Sequence, residues 1–151
     1  MAPPPFWNKP LLVTVDTSTV INLNATERAP EIIQALESKI VVVDVVQSEL
    51  EGGRRNGRRD ADLFHRLATE GMVDIVALDD AAAVHFEGLV IGPAVATLDD
   101  GEAATIAYAV TRNATAVIDE RKATQICAQR FPALTVCSTV DLLAQPEVRL
   151  K

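Results

Sequence analysis

The chain has little cysteine, no long apolar run and fewer positive than negative charges. Its two cysteines, Cys127 and Cys137, match no zinc-ligand spacing, so we expect two buried free thiols. No apolar run reaches the ~20 residues that a membrane helix requires. The opening MAPPPFWNKP also lacks the apolar core of a signal peptide. We therefore expect a cytoplasmic protein with no membrane contact and a flexible N-terminal extension over residues 1–10.

The charge balance limits how the chain can bind nucleic acid. Fourteen Lys and Arg stand against 21 Asp and Glu, which gives a net charge of −7. This balance excludes a protein that binds nucleic acid by overall charge alone. It does not exclude a protein that recruits divalent cations, because bound cations reverse the sign of the local field.

Apolar runs and helical segments alternate over residues 11–151. Hydrophobic residues make up 48 % of the 151, which is enough for one domain with a real core. The runs that suit strands buried on both faces are LLVTVD (11–16), IVVVD (40–44), MVDIV (72–76), TAVID (115–119) and ALTV (133–136). The helical segments between them span residues 18–25, 30–38, 46–51, 60–70, 100–112, 120–130 and 138–144. Pro30 suits a first helical turn and Asp60 a helix cap. This order predicts a three-layer α/β/α sandwich with a central, mainly parallel sheet of about five strands.

Four acids are placed where such a sheet binds ligands. Asp16 closes the first strand and Asp119 the fourth, Glu49 follows the second strand in DVVQSELEGG, and Glu102 begins the helix before the fourth strand. Ligands of open α/β sheets bind beyond the carboxyl ends of the strands, where the strand order reverses. If the first and fourth strands are neighbours there, the four carboxylates share one crevice.

Gathered carboxylates repel one another, so such a cluster requires shared protons or bound cations. Oxygen-only ligands favour Mg²⁺ or Mn²⁺ over zinc. A water bound to such a cation loses its proton more readily and can attack phosphorus, so the pattern predicts metal-assisted phosphodiester hydrolysis. Nearby, Thr17 binds a metal-bound water or caps the next helix, and Asn22 holds Asp16 or is a surface group. Asp99 or Asp100 is expected to cap its helix, and Glu120 to act as a helix N-terminal charge.

The chain resembles the PIN-domain nucleases in four segments that occur in the family's order. These are VTVDTSTVINL, VVDVVQSEL, DDGEAATIAYA and AVIDERKA, and the closing TVCSTVDLL is similar to the family's last strand and its Thr-led helix. The resemblance implies that Asp16, Glu49, Glu102 and Asp119 are catalytic and bind the metal. It also implies a single-strand ribonuclease that uses Mg²⁺ or Mn²⁺, and a VapC-type toxin that is a homodimer and pairs with an antitoxin.

Two other classes of function remain open. A catalytically silent PIN-like module that binds RNA or protein would keep the acids without proper metal geometry. A phosphoacceptor signalling domain would need paired Asp residues at the first strand and a Lys closing a late strand. Here the first strand carries only Asp16 and the late strands end without Lys, which disfavours the signalling domain.

An arginine-rich segment follows Glu49. GGRRNGRRDAD (52–62) contains three glycines, so we expect a mobile loop at the mouth of the site. The segment is either a solvated charge run or a phosphate clamp for RNA. The residues of the clamp would be Arg54, Arg55, Arg58 and Arg59. Further along, Tyr108 lies off the apolar stripe of its helix and is a candidate for an oligomer or partner face.

Overall fold

The computed structural model describes residues 10–149, so the predicted flexible extension lies outside the described residues except for Pro10. The strands are β1 Leu12–Val15, β2 Lys39–Val43, β3 Asp74–Val76, β4 Thr115–Val117 and β5 Val136–Cys137. The helices are α1 Thr17–Ala25, α2 Ala29–Leu36, α3 Asp44–Arg54, α4 Asp60–Thr69, α5 Asp80–Val90, α6 Asp100–Arg112, α7 Arg121–Arg130, α8 Thr139–Leu143 and α9 Pro146–Arg149. A short 3-10 helix, Ala94–Ala96, precedes α6. Within the described range, no helix combines the length and apolarity needed to cross a bilayer.

The five strands form one parallel sheet in the order β3-β2-β1-β4-β5. The chain builds outward from β1 to β3 and then crosses back to build β4 and β5 on the other side of β1. The order therefore reverses between β1 and β4, whose register pairs Val13 with Thr115 and Val15 with Val117. This arrangement confirms the predicted α/β/α fold and makes the first and fourth strands neighbours.

Alternate residues of the central strands enter cores on opposite faces of the sheet. Val13 and Val15 of β1 and Val42 of β2 pack on one face, in a core shared with α1, α2 and α4. Val41 and Val43 point to the other face, where α6 lies. Strands buried on both faces must be apolar almost throughout, which explains their continuous apolar runs.

Helix α6 is buried on nearly all sides because its alanines allow close packing. It contacts α3, α5 and strands β1, β2 and β4. Tyr108 is only 8 % exposed and packs with Val41, Val43 and Ala104. The prediction that Tyr108 marks an oligomer or partner face is therefore wrong, because a helix surrounded by strands and helices leaves no open side at that position.

Several boundaries differ from the sequence prediction. Helix α3 continues through both glycines to Arg54, so the arginine loop is shorter than predicted. Buried Val46 and Leu50 anchor this helix and offset the cost of about 1 kcal/mol for each helical glycine. Asp60 is the first residue of α4 rather than its cap, which is Arg59. Helix α5 was not predicted, and β5 begins three residues later than expected because its pairing with β4 sets its register.

Candidate active site

Asp16 stands where β1 ends and α1 begins. It is the N-cap of α1, and its Oδ1 accepts hydrogen bonds from Thr19 N at 3.0 Å, Thr19 Oγ1 at 2.8 Å and Ser18 Oγ at 3.0 Å. Its Oδ2 receives no hydrogen bond from residues 10–149. Asp16 is 2 % exposed, and burial raises its pKa. The hydrogen bonds from Thr19 and Ser18 oppose this rise, and the charge of Asp119 adds to it.

Asp119 lies just beyond the neighbouring strand β4 and is held by several donors. Thr139 donates its backbone N–H to Oδ1 and its hydroxyl to Oδ2, both at 2.7 Å. Asn22 Nδ2 donates to Oδ2 at 3.0 Å, so this side chain orients Asp119, and the prediction that it holds Asp16 is wrong. Ser18 Oγ lies between the two acids, 3.0 Å from Asp16 and 3.5 Å from Asp119.

Thr139 was missed as a site residue in the sequence analysis. Its signal was its place in the Thr-led closing helix, because a residue at the start of α8 presents both a hydroxyl and a free backbone N–H. That these two donors meet Asp119 depends on β5 lying beside β4.

Glu49 reaches the same edge of the sheet from the middle of α3. Its Oε1 accepts a short hydrogen bond from the hydroxyl of Thr17, and its Oε2 accepts one from Gly101 N at 3.2 Å. Thr17 therefore lines the cleft with its hydroxyl bonded to Glu49, and its predicted role as the cap of α1 is wrong because the cap is Asp16. Both carboxylate oxygens of Glu49 have donors within the protein.

Glu102 lies in the first turn of α6, whose N-cap is Asp99. Asp99 Oδ1 accepts a hydrogen bond from Glu102 N at 2.8 Å, as predicted for an acid at this helix start. Burial and the nearby charges of Asp99, Glu120 and Asp16 raise the pKa of Glu102 to about 7. A backbone hydrogen bond from Asp99 lowers this pKa, but by a smaller amount. No side-chain donor among residues 10–149 reaches the Glu102 carboxylate.

These side chains line one cleft of about 480 Å³. Its lining residues are Asp16, Thr17, Ser18, Ile21, Glu49, Asp99, Glu102 and Glu120. Asp119 is not a lining residue but contacts Ser18, which is. Three helices begin at this edge, and the cap of each is an acid: Asp16 for α1, Asp99 for α6 and Glu120 for α7. The cleft is acidic because the parallel topology brings three acid-capped helix starts together.

Asp99 and Glu120 were expected only as a cap or a helix charge, and both do cap their helices. The structure adds that both also face the cleft, beside Glu102. Their capping roles could be predicted because a capping signal is local, whereas their place in the cleft depends on which helix starts the sheet topology brings to one edge.

The donor set of the cleft suits a hard divalent cation. Every candidate ligand atom is a carboxylate or hydroxyl oxygen, the type that Mg²⁺ and Mn²⁺ prefer. Within residues 10–149, no three acid, imidazole or thiol groups are arranged to hold a metal ion together. Mg²⁺ commonly uses only one or two protein carboxylates with waters as its other ligands, so Asp16 Oδ2 and Glu102 would suffice to hold one.

The four arginines of the predicted clamp do not line the acidic cleft. Arg54 pairs with Glu51 at 3.2 Å and with Asp62 at 2.6 Å. Arg58 pairs with Asp60 at 3.2 Å. Exposed Arg55 and Arg59 have no ion-pair partner among the described residues. The loop therefore offers two unpaired guanidinium groups beyond the end of α3.

The fold and site together define a class: a parallel α/β/α domain with carboxylates gathered where the strand order reverses. A family model described as PIN domain (DUF3368) matches residues 12–146, nearly the whole described range. The chain therefore belongs to the PIN-domain family of nucleases, and this membership confirms the resemblance drawn from the four segments.

Two further comparisons bear on the chain. It is similar to a chain in the crystal structure of VapBC2 from Rickettsia felis bound to a DNA fragment from their promoter. The TM-score is 0.56 and the identity 16 %, over 84 % of this chain and 98 % of that one, a likeness that shows the fold. Among curated proteins, no match was found.

Proposed function

We propose that the chain is an endoribonuclease that hydrolyses single-stranded RNA with the help of Mg²⁺ or Mn²⁺. The observation that carries the proposal is the acidic cleft at the β1–β4 reversal of a PIN domain. Burial and mutual repulsion raise the pKa values of Asp16 and Glu102 there. Carboxylates in that state gain most from a bound dication, because the cation relieves both effects.

Asp16 and Glu102 would hold the cation, since each has carboxylate oxygen free of side-chain donors within the described residues. A cation bound there supplies a more acidic water and stabilises charge on the phosphate oxygens. Asp119 would complete the site from a position that Thr139 and Asn22 keep rigid. Glu49 and Asp119 already accept hydrogen bonds on each carboxylate oxygen, so either would coordinate only through a remaining lone pair.

The chain's own residues would also bind and orient the RNA. The cleft volume of about 480 Å³ admits a phosphodiester group but leaves the strand to be bound outside it. Arg55 and Arg59, which have no ion-pair partner among residues 10–149, offer guanidinium groups for backbone phosphates, which bind Arg bidentately. Such local contacts would offset the unfavourable net charge of −7.

We further propose that the nuclease is the toxin of a toxin–antitoxin pair and forms a homodimer. The support is membership of the PIN-domain family and the structural likeness to a chain of the VapBC2 complex. We expect the chain to co-purify with the product of an adjacent small gene. We also expect that product to suppress the nuclease activity of the chain. A chain that remains equally active with that product would contradict the toxin role.

The enzymatic proposal is tested by incubating single-stranded RNA with the protein in Mn²⁺ or in EDTA, with single-stranded DNA in parallel. We expect RNA cleavage that EDTA abolishes and that Asp16→Asn lowers by at least about 100-fold. Asp80→Asn is the matched control, since it removes the same charge from an exposed position at the start of α5. Cleavage that survives both EDTA and Asp16→Asn would refute the metal mechanism.

A catalytically silent RNA- or protein-binding module is the second candidate. It is favoured by one observation: Glu49 and Asp119 have donors from the protein on all four of their carboxylate oxygens. Binding of RNA without cleavage in Mg²⁺ or Mn²⁺, with affinity unchanged in Asp16→Asn, would favour this module over the enzyme.

A further inference from the structure

The contact between Glu49 and Gly101 joins two segments that are 52 residues apart in the chain. Gly101 is a buried residue in the first turn of α6, next to Glu102, and its N–H donates to Glu49 Oε2 at 3.2 Å. Thr17, which follows Asp16, donates its hydroxyl to the other oxygen. One carboxylate thus links α3 to the two segments that carry Asp16 and Glu102.

Only glycine leaves room for this contact. A Cβ on Gly101 would overlap Glu49 Oε1 and would come within 2.8 Å of Glu49 Cδ and 3.0 Å of Thr17 Oγ1. Gly101 does not have positive φ, so its backbone conformation does not require glycine. The missing side chain has a steric purpose, which is to admit the carboxylate of Glu49.

We propose that Glu49 is a positioning residue, seated on Gly101 and Thr17, and not a ligand of the cation. It fixes the start of α6 relative to the β1–α1 junction and so sets the separation of Asp16 and Glu102. This inference rests on the proposed metal-dependent function. It reassigns one of the four acids to which the family resemblance gave a single role.

We call the contact of the Glu49 carboxylate with Gly101 N and the Thr17 hydroxyl the Glu49 seat. A thermal double-mutant cycle tests this seat without metal or substrate. Gly101→Ala should lower Tm by about 5 °C, because it displaces a carboxylate with two hydrogen bonds. In a Glu49→Ala background the same change should leave Tm unchanged or raise it by about 2 °C, because alanine favours the helix. Gly52→Ala in α3 is the control: it has no atom within 4 Å of its new Cβ and should raise Tm slightly in both backgrounds. Equal effects of Gly101→Ala in the two backgrounds would overturn the seat.

Mn²⁺ affinity, measured by direct titration, separates positioning from coordination. Glu49→Gln retains the shape and can still accept from Gly101 N and bond the Thr17 hydroxyl, so we expect only the electrostatic loss of one nearby charge, well below the loss in Asp16→Asn. Gly101→Ala keeps the charge of Glu49 but dislodges it, and we expect a loss of about 10-fold, as when supporting groups around a metal are removed. Asp16→Asn sets the loss expected for a ligand.

The opposite ranking would overturn the proposal: a loss in Glu49→Gln as large as in Asp16→Asn assigns Glu49 as a ligand. If Gly101→Ala lowers Tm but leaves Mn²⁺ affinity unchanged, the contact of Glu49 with Gly101 is only structural. That result would also overturn the proposal that Glu49 positions the metal site. A parent protein that binds no Mn²⁺ refutes the metal-dependent function instead. The thermal cycle then still decides whether Glu49 and Gly101 are coupled.

Discussion

Replacing Glu102 by glutamine should stabilise the metal-free protein at high pH and not at low pH. In the folded protein, burial and three neighbouring acids raise the pKa of Glu102 from 4.5 to about 7. Below pH 4.5 the carboxyl is protonated in the folded and unfolded states alike, so it contributes no pH-dependent penalty. Between those values the unfolded chain releases the proton and the folded protein retains it, so stability falls as pH rises. Above about pH 7 the full penalty is present, because the carboxylate is ionised inside the acidic cleft.

The size of the effect follows from the same difference in pKa. From 4.5 to about 7, at about 1.36 kcal/mol for each pKa unit, the penalty is at most about 3.4 kcal/mol. Glu102 is only half-buried, and solvent screening reduces this to about 1.5 kcal/mol. For a chain of this length Glu102→Gln should therefore raise Tm by about 3–6 °C at about pH 8.

Thermal unfolding in EDTA and low salt, followed across the pH range, measures this prediction. The difference in Tm between variant and parent should shrink as pH falls and vanish well below pH 4.5. Asp80→Asn, at an exposed site, should show no comparable pH-dependent gain. A difference that is constant with pH, or a variant less stable than the parent at about pH 8, would refute the assignment of Glu102 to a repulsive cleft.

Three other predictions follow from the described contacts. Thr139→Val removes the hydroxyl that donates to Asp119 and should lower the free energy of unfolding in urea by about 1.5–3 kcal/mol, whereas Thr139→Ser should restore most of it; equal losses in both would contradict the hydrogen bond. Arg55→Gln combined with Arg59→Gln should weaken RNA binding and reduce the slope of log binding constant against log salt concentration by about 1.4. The same changes at the ion-paired Arg54 and Arg58 should have a smaller effect. An unchanged slope would exclude a phosphate clamp. Burial raises the pKa values of the two thiols to about 11 and about 12, so neither should react with a thiol reagent at neutral pH until the protein is unfolded; rapid labelling of the native protein would show an open cleft or local unfolding.

Much of the fold follows from local rules that act within a few residues. Continuous apolar runs predicted all five strands, because a strand buried on both faces has no polar side to present. Asp16 and Asp119 were recognised as site candidates because an acid that closes such a run has no place in the core. Asp99 or Asp100 was expected to be a cap because Asp satisfies free backbone donors at a helix start, and the cap is Asp99. The spacing of residues along the chain was enough in each case.

Other features depend on strand order and on packing between distant segments. Asn22 meets Asp119 across 97 residues, and Glu49 meets Gly101 across 52, so neither partner could be found from neighbouring letters. Tyr108 was misassigned because the pattern of one helix does not reveal how many elements surround it.

The sequence by itself determined the strands, most of the helices and the acids that begin or end them, since apolar periodicity and helix capping are local. Only the tertiary structure decided that β1 and β4 are adjacent, which acids retain oxygens free of side-chain donors, and which arginines are already paired. The physical reason is that hydrogen bonds and repulsion between side chains depend on distances in space. The crossover between β3 and β4 sets those distances.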